Sequence, residues 1–351
     1  MILFLIKQLV AQPIINIDPS QSANLNAIIN SVAPGSWIVF ADGTYTIPEY
    51  IAINVNNITL TSSSGNPASV IINGDGMNGD DYGFLVYGNN ITISHMTIQN
   101  VRYNCIDLNE NIDGFHINNC VLRNAGEFFV DVSWTSASSP SENGIVENCI
   151  FEYPTGSGVN TYLGGIKSEF CKDWIIRNNV FRSIRSPSIG SAAYAVLFWR
   201  GSEANIVEKN HIINCDRGIG FGISTYGNSG GIIRNNFIWH ENILENDQVG
   251  ITLETSPYTQ IYNNTIYIDQ NVMSSIEYRY NASTEIFIAN NLTNKPILAR
   301  DGATATDTNN VTVSSSSWFV DITSGDLHLS SDTLSEIIDM GIAVTGLTED
   351  F

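Results

Sequence analysis

Five charged side chains, Asp107, Asp131, Lys167, Glu169 and Arg200, invite a chemical reading. Carboxylates beside a lysine and an arginine suit elimination from a uronate-containing glycan. The hard oxygens of Asp107, Asp131 and Glu169 match Ca²⁺. The metal and a cation neutralise the substrate carboxylate and acidify the neighbouring proton, which Lys167 removes with Arg200 at its side. Trp199 and Trp134 offer faces for sugar rings, and Asn109, Glu254 and Arg279 add polar contacts. A plainer reading stands beside this one. Lys167 between Asp131 and Glu169 also reads as a surface ion-pair ladder, and such partners raise a lysine's pKa and oppose base work. Arg200 also reads as a corner residue, and Trp199 as packing beneath a loop. Asp107 and Asp131 as paired carboxylates would instead serve glycoside hydrolysis.

These residues are far apart in sequence, so the fold must bring them together. Internal repetition shows how. The phrases Ile117-Asn-Asn-Cys-Val-Leu122, Val146-Glu-Asn-Cys-Ile-Phe151, Ile176-Arg-Asn-Asn-Val-Phe181, Val207-Glu-Lys-Asn-His-Ile212, Ile233-Arg-Asn-Asn-Phe-Ile238, Ile261-Tyr-Asn-Asn-Thr-Ile266 and Ile288-Ala-Asn-Asn-Leu-Thr293 recur at near-regular intervals, with a degenerate copy at Ile93–Ile98. No helical period appears inside the units. Short apolar or alternating runs are instead separated by Asn, Gly and Ser, which predicts three short strands per unit. Such a unit is one coil of a parallel β-helix, stacked on its neighbours about 4.8 Å away. The chain holds 41 asparagines. At the corners, Asn tolerates left-handed backbone and its amide can bond the next coil.

One outer sheet would then carry the chemistry. Pointing apolar residues inward gives the pairs Ile106/Leu108, Val130/Val132, Ile166/Ser168, Val196/Phe198, Ile219/Phe221, Ile251/Leu253 and Ile276/Tyr278. The outward files become Asp107, Asp131, Lys167, Leu197, Gly220, Thr252, Glu277 and, beside it, Asn109, Ser133, Glu169, Trp199, Gly222, Glu254, Arg279.

The flanks read as caps. Residues 1–13 form an apolar leader-like segment, and a single domain follows over 14–351. In it, a cap spans about 14–36, coils about 37–330 and a closing segment about 331–351. Leu25, Ile28, Ile29 and Val32 predict a helix over Ser20–Val32, with Ser20 or Ser22 as N-cap and Pro34-Gly35 as stop. A short closing helix and loop are expected over Thr333–Gly346. The chain stops abruptly after Leu347-Thr-Glu-Asp-Phe351, so a fragment of a longer protein is one expectation.

Composition narrows the class. A net charge of −20 and only 14% charged residues leave no basic face for nucleic acid. The leader-like segment is too short to span a bilayer. The acidic, lysine-poor composition points to a secreted or cell-surface protein. The five cysteines lack CxxC spacing and read as core residues, and no organic cofactor motif is present.

The segments PGSWIVFADGTYTI, IIRNNVF, IVEKN and IIRNNFI resemble the right-handed parallel β-helix proteins of the pectate-lyase-like superfamily. That resemblance implies an all-β, single-stranded right-handed solenoid with an N-terminal capping helix, over about residues 14–345. Leu197-Phe-Trp-Arg-Gly-Ser-Glu-Ala-Asn-Ile-Val-Glu-Lys-Asn210 is similar to the arginine-bearing strand of the chondroitinase B and alginate lyase group. The similarity implies a calcium-assisted lyase with Arg200 in the arginine's place. Alignment on IIRNN sets Phe170, not Lys167, at that group's lysine. The expected partner is an acidic polysaccharide or other glycan. The competing readings are a non-catalytic carbohydrate-binding or structural surface solenoid, and a glycoside hydrolase.

Overall fold

Residues 12–75, 77, 82–133, 136–188, 194–241, 249–331 and 337–344 are described by the computed structural model of the chain. Three long sheets run side by side, each receiving about one strand per coil. The first has twelve strands, from Ile14–Ile17 and Trp37–Phe40 to Ala305–Thr308. The second has ten, from Gly43–Thr46 to Leu292–Thr293, and the third has ten, from Ile51–Ile53 to Ile297–Arg300. A short fourth sheet, Ser141–Glu142, Cys171–Lys172, Ser202–Glu203 and Asn228–Ser229, fills a corner. Strand pairs within these sheets are parallel, so the architecture is the expected parallel β-helix, with about ten turns.

The β-branched positions of the repeat phrase explain the stack. Ile117, Val146, Ile176, Val207, Ile233, Ile261 and Ile288 pair coil to coil and are fully buried. Each such side chain contributes roughly 1.5–3 kcal/mol by leaving water. One coil alone would leave this file wet, which is why the units fold only as a stack.

The two jobs expected of the corner asparagine belong to adjacent residues. The third position of each phrase takes the left-handed backbone, with φ of 50° at Asn119, 55° at Asn178, 54° at Lys209 and 57° at Asn290. The fourth position builds an internal ladder. Asn179 Nδ2 donates to Asn210 Oδ1 at 3.0 Å, Asn210 to Asn236 at 3.0 Å, Asn236 to Asn264 at 2.9 Å and Asn264 to Asn291 at 2.9 Å. The ladder ends on Asn310. Cys149 and Cys120 continue the same stack upward, for the Cys149 N–H donates to Asn179 Oδ1 at 2.9 Å and the Cys120 N–H meets Cys149 Sγ at 3.4 Å. All five cysteines are free and buried.

The N-terminal cap differs from its expected boundaries. A 3₁₀ turn over Pro19–Asn24 precedes an α-helix limited to Leu25–Ser31, and the cap is Asp18 rather than Ser20 or Ser22. Asp18 accepts from the Ser20 N–H while Gln21 accepts from the Asp18 N–H, a reciprocal arrangement that the Pro19 ring pre-orders. Asn26 and Asn30 then clamp the open edge of the third sheet. Asn26 accepts from the Ala52 N–H at 2.6 Å and donates to Tyr50 O at 2.8 Å, and Asn30 donates to Ala52 O at 2.9 Å. At the other end, Trp318–Leu329 is an antiparallel hairpin of Phe319–Asp321 with Asp326–Leu329, flanked by 3₁₀ turns. It covers Ile213, Phe237 and Trp239 on the second sheet. Most of the leader-like segment and much of the expected closing helix lie outside the described residues.

Candidate functional site

The third sheet pairs in the register read from the sequence. Asp107 faces Asp131, Asp131 faces Lys167, Lys167 faces Leu197, and Glu169 faces Trp199. Strands Ile106–Leu108, Phe128–Val132, Gly164–Glu169 and Tyr194–Trp199 therefore set Asp107, Asp131, Lys167 and Glu169 on one outer face.

Alternation breaks at one point in these strands, and the break adds a third outward file. Phe129 and Val130 both face the core, with the Phe129 ring 5.0 Å from Tyr153, while Phe128 turns out under Lys167. Tyr194 and Arg217 stand further along the same file. Arg217 lies with its guanidinium 5.3 Å from the Tyr194 ring. Its neighbour Asp216 accepts from the Ser186 N–H of the preceding coil at 2.8 Å.

A continuous polar chain crosses this face. Asn104 donates to Asp107 at 2.8 Å and to Asp131 at 3.4 Å. Ser133 donates to Asp131, and Lys167 Nζ donates to Ser133 Oγ at 2.7 Å. The ammonium also lies 3.5 Å from Asp131 and 3.6 Å from Glu169. Glu169 then accepts from Arg200 at 3.1 Å. Asp107, Asp131, Lys167 and Glu169 are only 2, 7, 7 and 4% exposed, whereas the Arg200 side chain is 41% exposed. The network thus runs from a closed floor to an open rim. Rings flank it on both sides. Phe128 and Tyr162 lie 5.0 and 6.0 Å from Lys167 Nζ, and Trp199 and Tyr226 lie 4.9 and 5.0 Å from the Arg200 guanidinium.

Burial decides the protonation states. Desolvation pushes the Asp131 carboxyl above the usual carboxylate range, outweighing the pull of Lys167 and Ser133. Glu127, at the edge of the cluster, is pushed up by desolvation and by the Asp131 charge. Burial opposes the Lys167 charge, yet Asp131, Tyr162 and Glu169 together hold its pKa above the ordinary lysine value. Lys167 therefore holds its proton more tightly than an ordinary lysine, which opposes the base role expected from the sequence.

The remaining expected residues divide. Asp107, Asp131 and Glu169 do not converge as metal ligands, because the Lys167 ammonium sits between Asp131 and Glu169. Among the described residues no group of three His, Cys, Asp or Glu side chains is arranged to hold a metal ion. These donors do not fit the expected calcium site. Asn109 follows strand Ile106–Leu108 and its side chain accepts from the Glu110 N–H at 2.7 Å. Glu254 and Arg279 form a separate cluster further down the sheet, with Glu277, Arg300 and Asp301. Trp134 lies outside the described residues. Asn104, Glu127, Phe128, Tyr162 and Tyr226 were not anticipated. Asn104 alone left a trace, as an asparagine just before an apolar strand.

No family model and no curated protein matches the chain. Solved structures do. An alginate lyase from Paenibacillus sp. strain FPU-7 is 14% identical over 86% of this chain and 100% of its own, with a TM-score of 0.57. Pectate lyase Pel9A is 13% identical over 98% and 95%, with a TM-score of 0.54. The fold these structures share with the chain is the parallel β-helix. A lacto-N-biosidase from Eubacterium ramulus shares it too, at 12% identity over 85% of this chain and 67% of its own, with a TM-score of 0.62. Within this β-helix, Phe170 (φ 50°) and Arg200 (φ 47°) occupy equivalent corners of successive coils, one directly after Glu169 and the other after Trp199. The corner before the arginine thus carries a phenyl ring, and Lys167 lies three residues earlier, on the floor.

Proposed function

We propose that the outer face of the third sheet binds an acidic glycan outside the cell and cleaves it by β-elimination. The observation that carries this reading is the polar chain from Asp107 to Arg200, closed to water at one end and open at the other, between aromatic rings. Elimination from a uronate needs a cation at the carboxylate, an acceptor for the adjacent proton and a donor for the leaving oxygen. Arg200 at the rim meets the carboxylate. Protonated Lys167 serves the leaving oxygen, and Glu169, bonded to both cations, is the acceptor between them. Calcium enters no step, because Lys167 fills the space between two of its expected ligands. The alginate and pectate lyases that share the fold support the substrate class by their names alone. No helix among the described residues is long and apolar enough to cross a membrane.

The test is absorbance of unsaturated uronate when the purified protein meets alginate, pectate or a glycosaminoglycan. Arg200→Ala and Lys167→Ala should each lower kcat/KM by about 10²–10⁴-fold. Full activity in both variants would overturn the assignment. Activity lost to a chelator and restored by calcium would return the carboxylates to metal binding.

A second reading, glycoside hydrolysis, is favoured by the Asp131 and Glu127 carboxyls, which burial keeps ready to donate a proton. It yields new reducing ends without that absorbance. Binding with no product would leave a non-catalytic carbohydrate-binding solenoid.

A further inference from the structure

We infer that Tyr226 is a positioning residue for Arg200, and that the two, with Trp199, form a subsite for the carboxylate of an acidic sugar. This rests on the glycan reading above and names the group that the open rim selects.

Arg200 ends its strand in left-handed backbone, at φ 47°. An arginine there is strained relative to glycine. Its guanidinium meets two rings and one carboxylate. Trp199 lies 4.9 Å away and Tyr226 5.0 Å away, and Glu169 accepts one N–H at 3.1 Å. Among the described residues, Glu169 is the one carboxylate it meets. A guanidinium carries five N–H donors in a flat fork, so most of its capacity stays unused.

Tyr226 is itself fixed in place. It closes the 3₁₀ turn Ser224–Tyr226, whose backbone is tied to the strand end: Trp199 Nε1 donates to Ile223 O at 3.3 Å, and the Gly201 N–H donates to Tyr226 O at 3.0 Å. The Trp199 and Tyr226 rings meet edge-on at 81°, 5.9 Å apart. Tyr226 is 56% exposed, so its ring adds little to the core. What the turn achieves is a second ring beside the cation at the mouth of the polar chain. An arginine already ordered in this way loses less entropy on meeting a carboxylate. Arg279 offers the contrast. It too has a ring beside it, Tyr280 at 5.1 Å, but Asp301, Glu254 and Glu277 already surround its guanidinium.

The experiment is calorimetric titration of the full chain with an oligouronate, its carboxyl-reduced counterpart and a sulfated oligosaccharide. Tyr226→Ala should weaken oligouronate binding about fivefold to tenfold, the scale of one cation–π contact, and Tyr226→Phe should stay within about twofold. The carboxyl-reduced sugar should bind wild type and Tyr226→Ala alike. An unchanged affinity in Tyr226→Ala overturns the inference, and so does an equal loss for the reduced sugar, which would make Tyr226 a plain stacking surface. Sulfated sugar bound as tightly, with the same dependence on Tyr226, overturns the carboxylate assignment. Wild type that binds none of the three overturns the glycan reading itself, whereas binding indifferent to Tyr226 overturns this step alone.

Discussion

Around Lys167 and around Arg279, the third sheet carries the same ingredients: a cation set between carboxylates from neighbouring coils. Lys167 lies 3.5 Å from Asp131 and 3.6 Å from Glu169, and Arg279 lies 3.6 Å from Glu254, 3.6 Å from Glu277 and 2.9 Å from Asp301. Their surroundings differ. The Lys167, Asp131 and Glu169 side chains are 9, 11 and 6% exposed, with the Phe128 and Tyr162 rings beside the ammonium, whereas Arg279 is 25% and Asp301 44% exposed, with Glu254 and Glu277 at 13 and 12%. Desolvation raises the Asp131 carboxyl while its neighbours hold the lysine protonated. The Arg279 cluster keeps contact with water, which screens it. Charge type and spacing were alike in the two places, so what separates a candidate site from a surface network is the dielectric around it.

The sharpest way to break the comparison is to remove each cation. Lys167→Met leaves the Asp131 carboxyl buried without its ion-pair partner. The expected loss is about 3–5 kcal/mol, read from urea unfolding midpoints. The double variant Lys167→Met/Asp131→Leu should recover much of that loss, because both buried charges go together. A single-variant loss under about 1 kcal/mol would place Lys167 in the same class as Arg279.

The pH dependence gives a second, smaller test. The Lys167 pKa is raised in the folded chain, so its contribution is complete below the unfolded value near 10.4 and is lost as pH climbs through the folded value. Asp131 is raised as well, so its own contribution falls earlier, as pH rises from about 3.9 through its folded value. The stability gap between wild type and Lys167→Met should therefore hold steady from about pH 7 to about pH 9 and close above about pH 10.4. A gap that closed near neutrality would mean that Lys167 loses its proton there, and would restore its base role.

Much of this sheet was legible in advance, for a definite reason. Inward β-branched and aromatic residues at period two fix the register, since a slip of one residue would turn Ile166 and Val196 to solvent and Lys167 inward. What stayed hidden has equally definite causes. Phe129 and Val130 both turn inward, which puts Phe128 on the outer face against the simple alternation. Corner and ladder roles fell on adjacent asparagines at Asn178-Asn179, Asn235-Asn236, Asn263-Asn264 and Asn290-Asn291, where residue type cannot separate them. Tyr226 reaches Arg200 from the next coil through a 3₁₀ turn that no periodic pattern marks. The rings beside Lys167 come from Phe128 on the preceding coil and from Tyr162 in the loop before its own strand, neither marked by a periodic pattern, so an ion-pair ladder and a site looked the same.

The smallest expected effect belongs to Arg279→Ala. Removing this cation leaves Glu254, Glu277 and Asp301 near one another, yet Asp301 is 44% exposed and Arg300 still donates to Glu277 at 2.8 Å. The loss should be about 0–1 kcal/mol by the same urea measurement. It should shrink further in about 1 M salt, where charges are screened within about 3 Å. The Lys167→Met loss should shrink less in that salt, because the Lys167, Asp131 and Glu169 side chains are only 9, 11 and 6% exposed. If instead both losses fell together as salt rose, water and ions would be reaching Lys167 as freely as Arg279. The raised Asp131 carboxyl, which depends on a dry floor, would then have no physical cause.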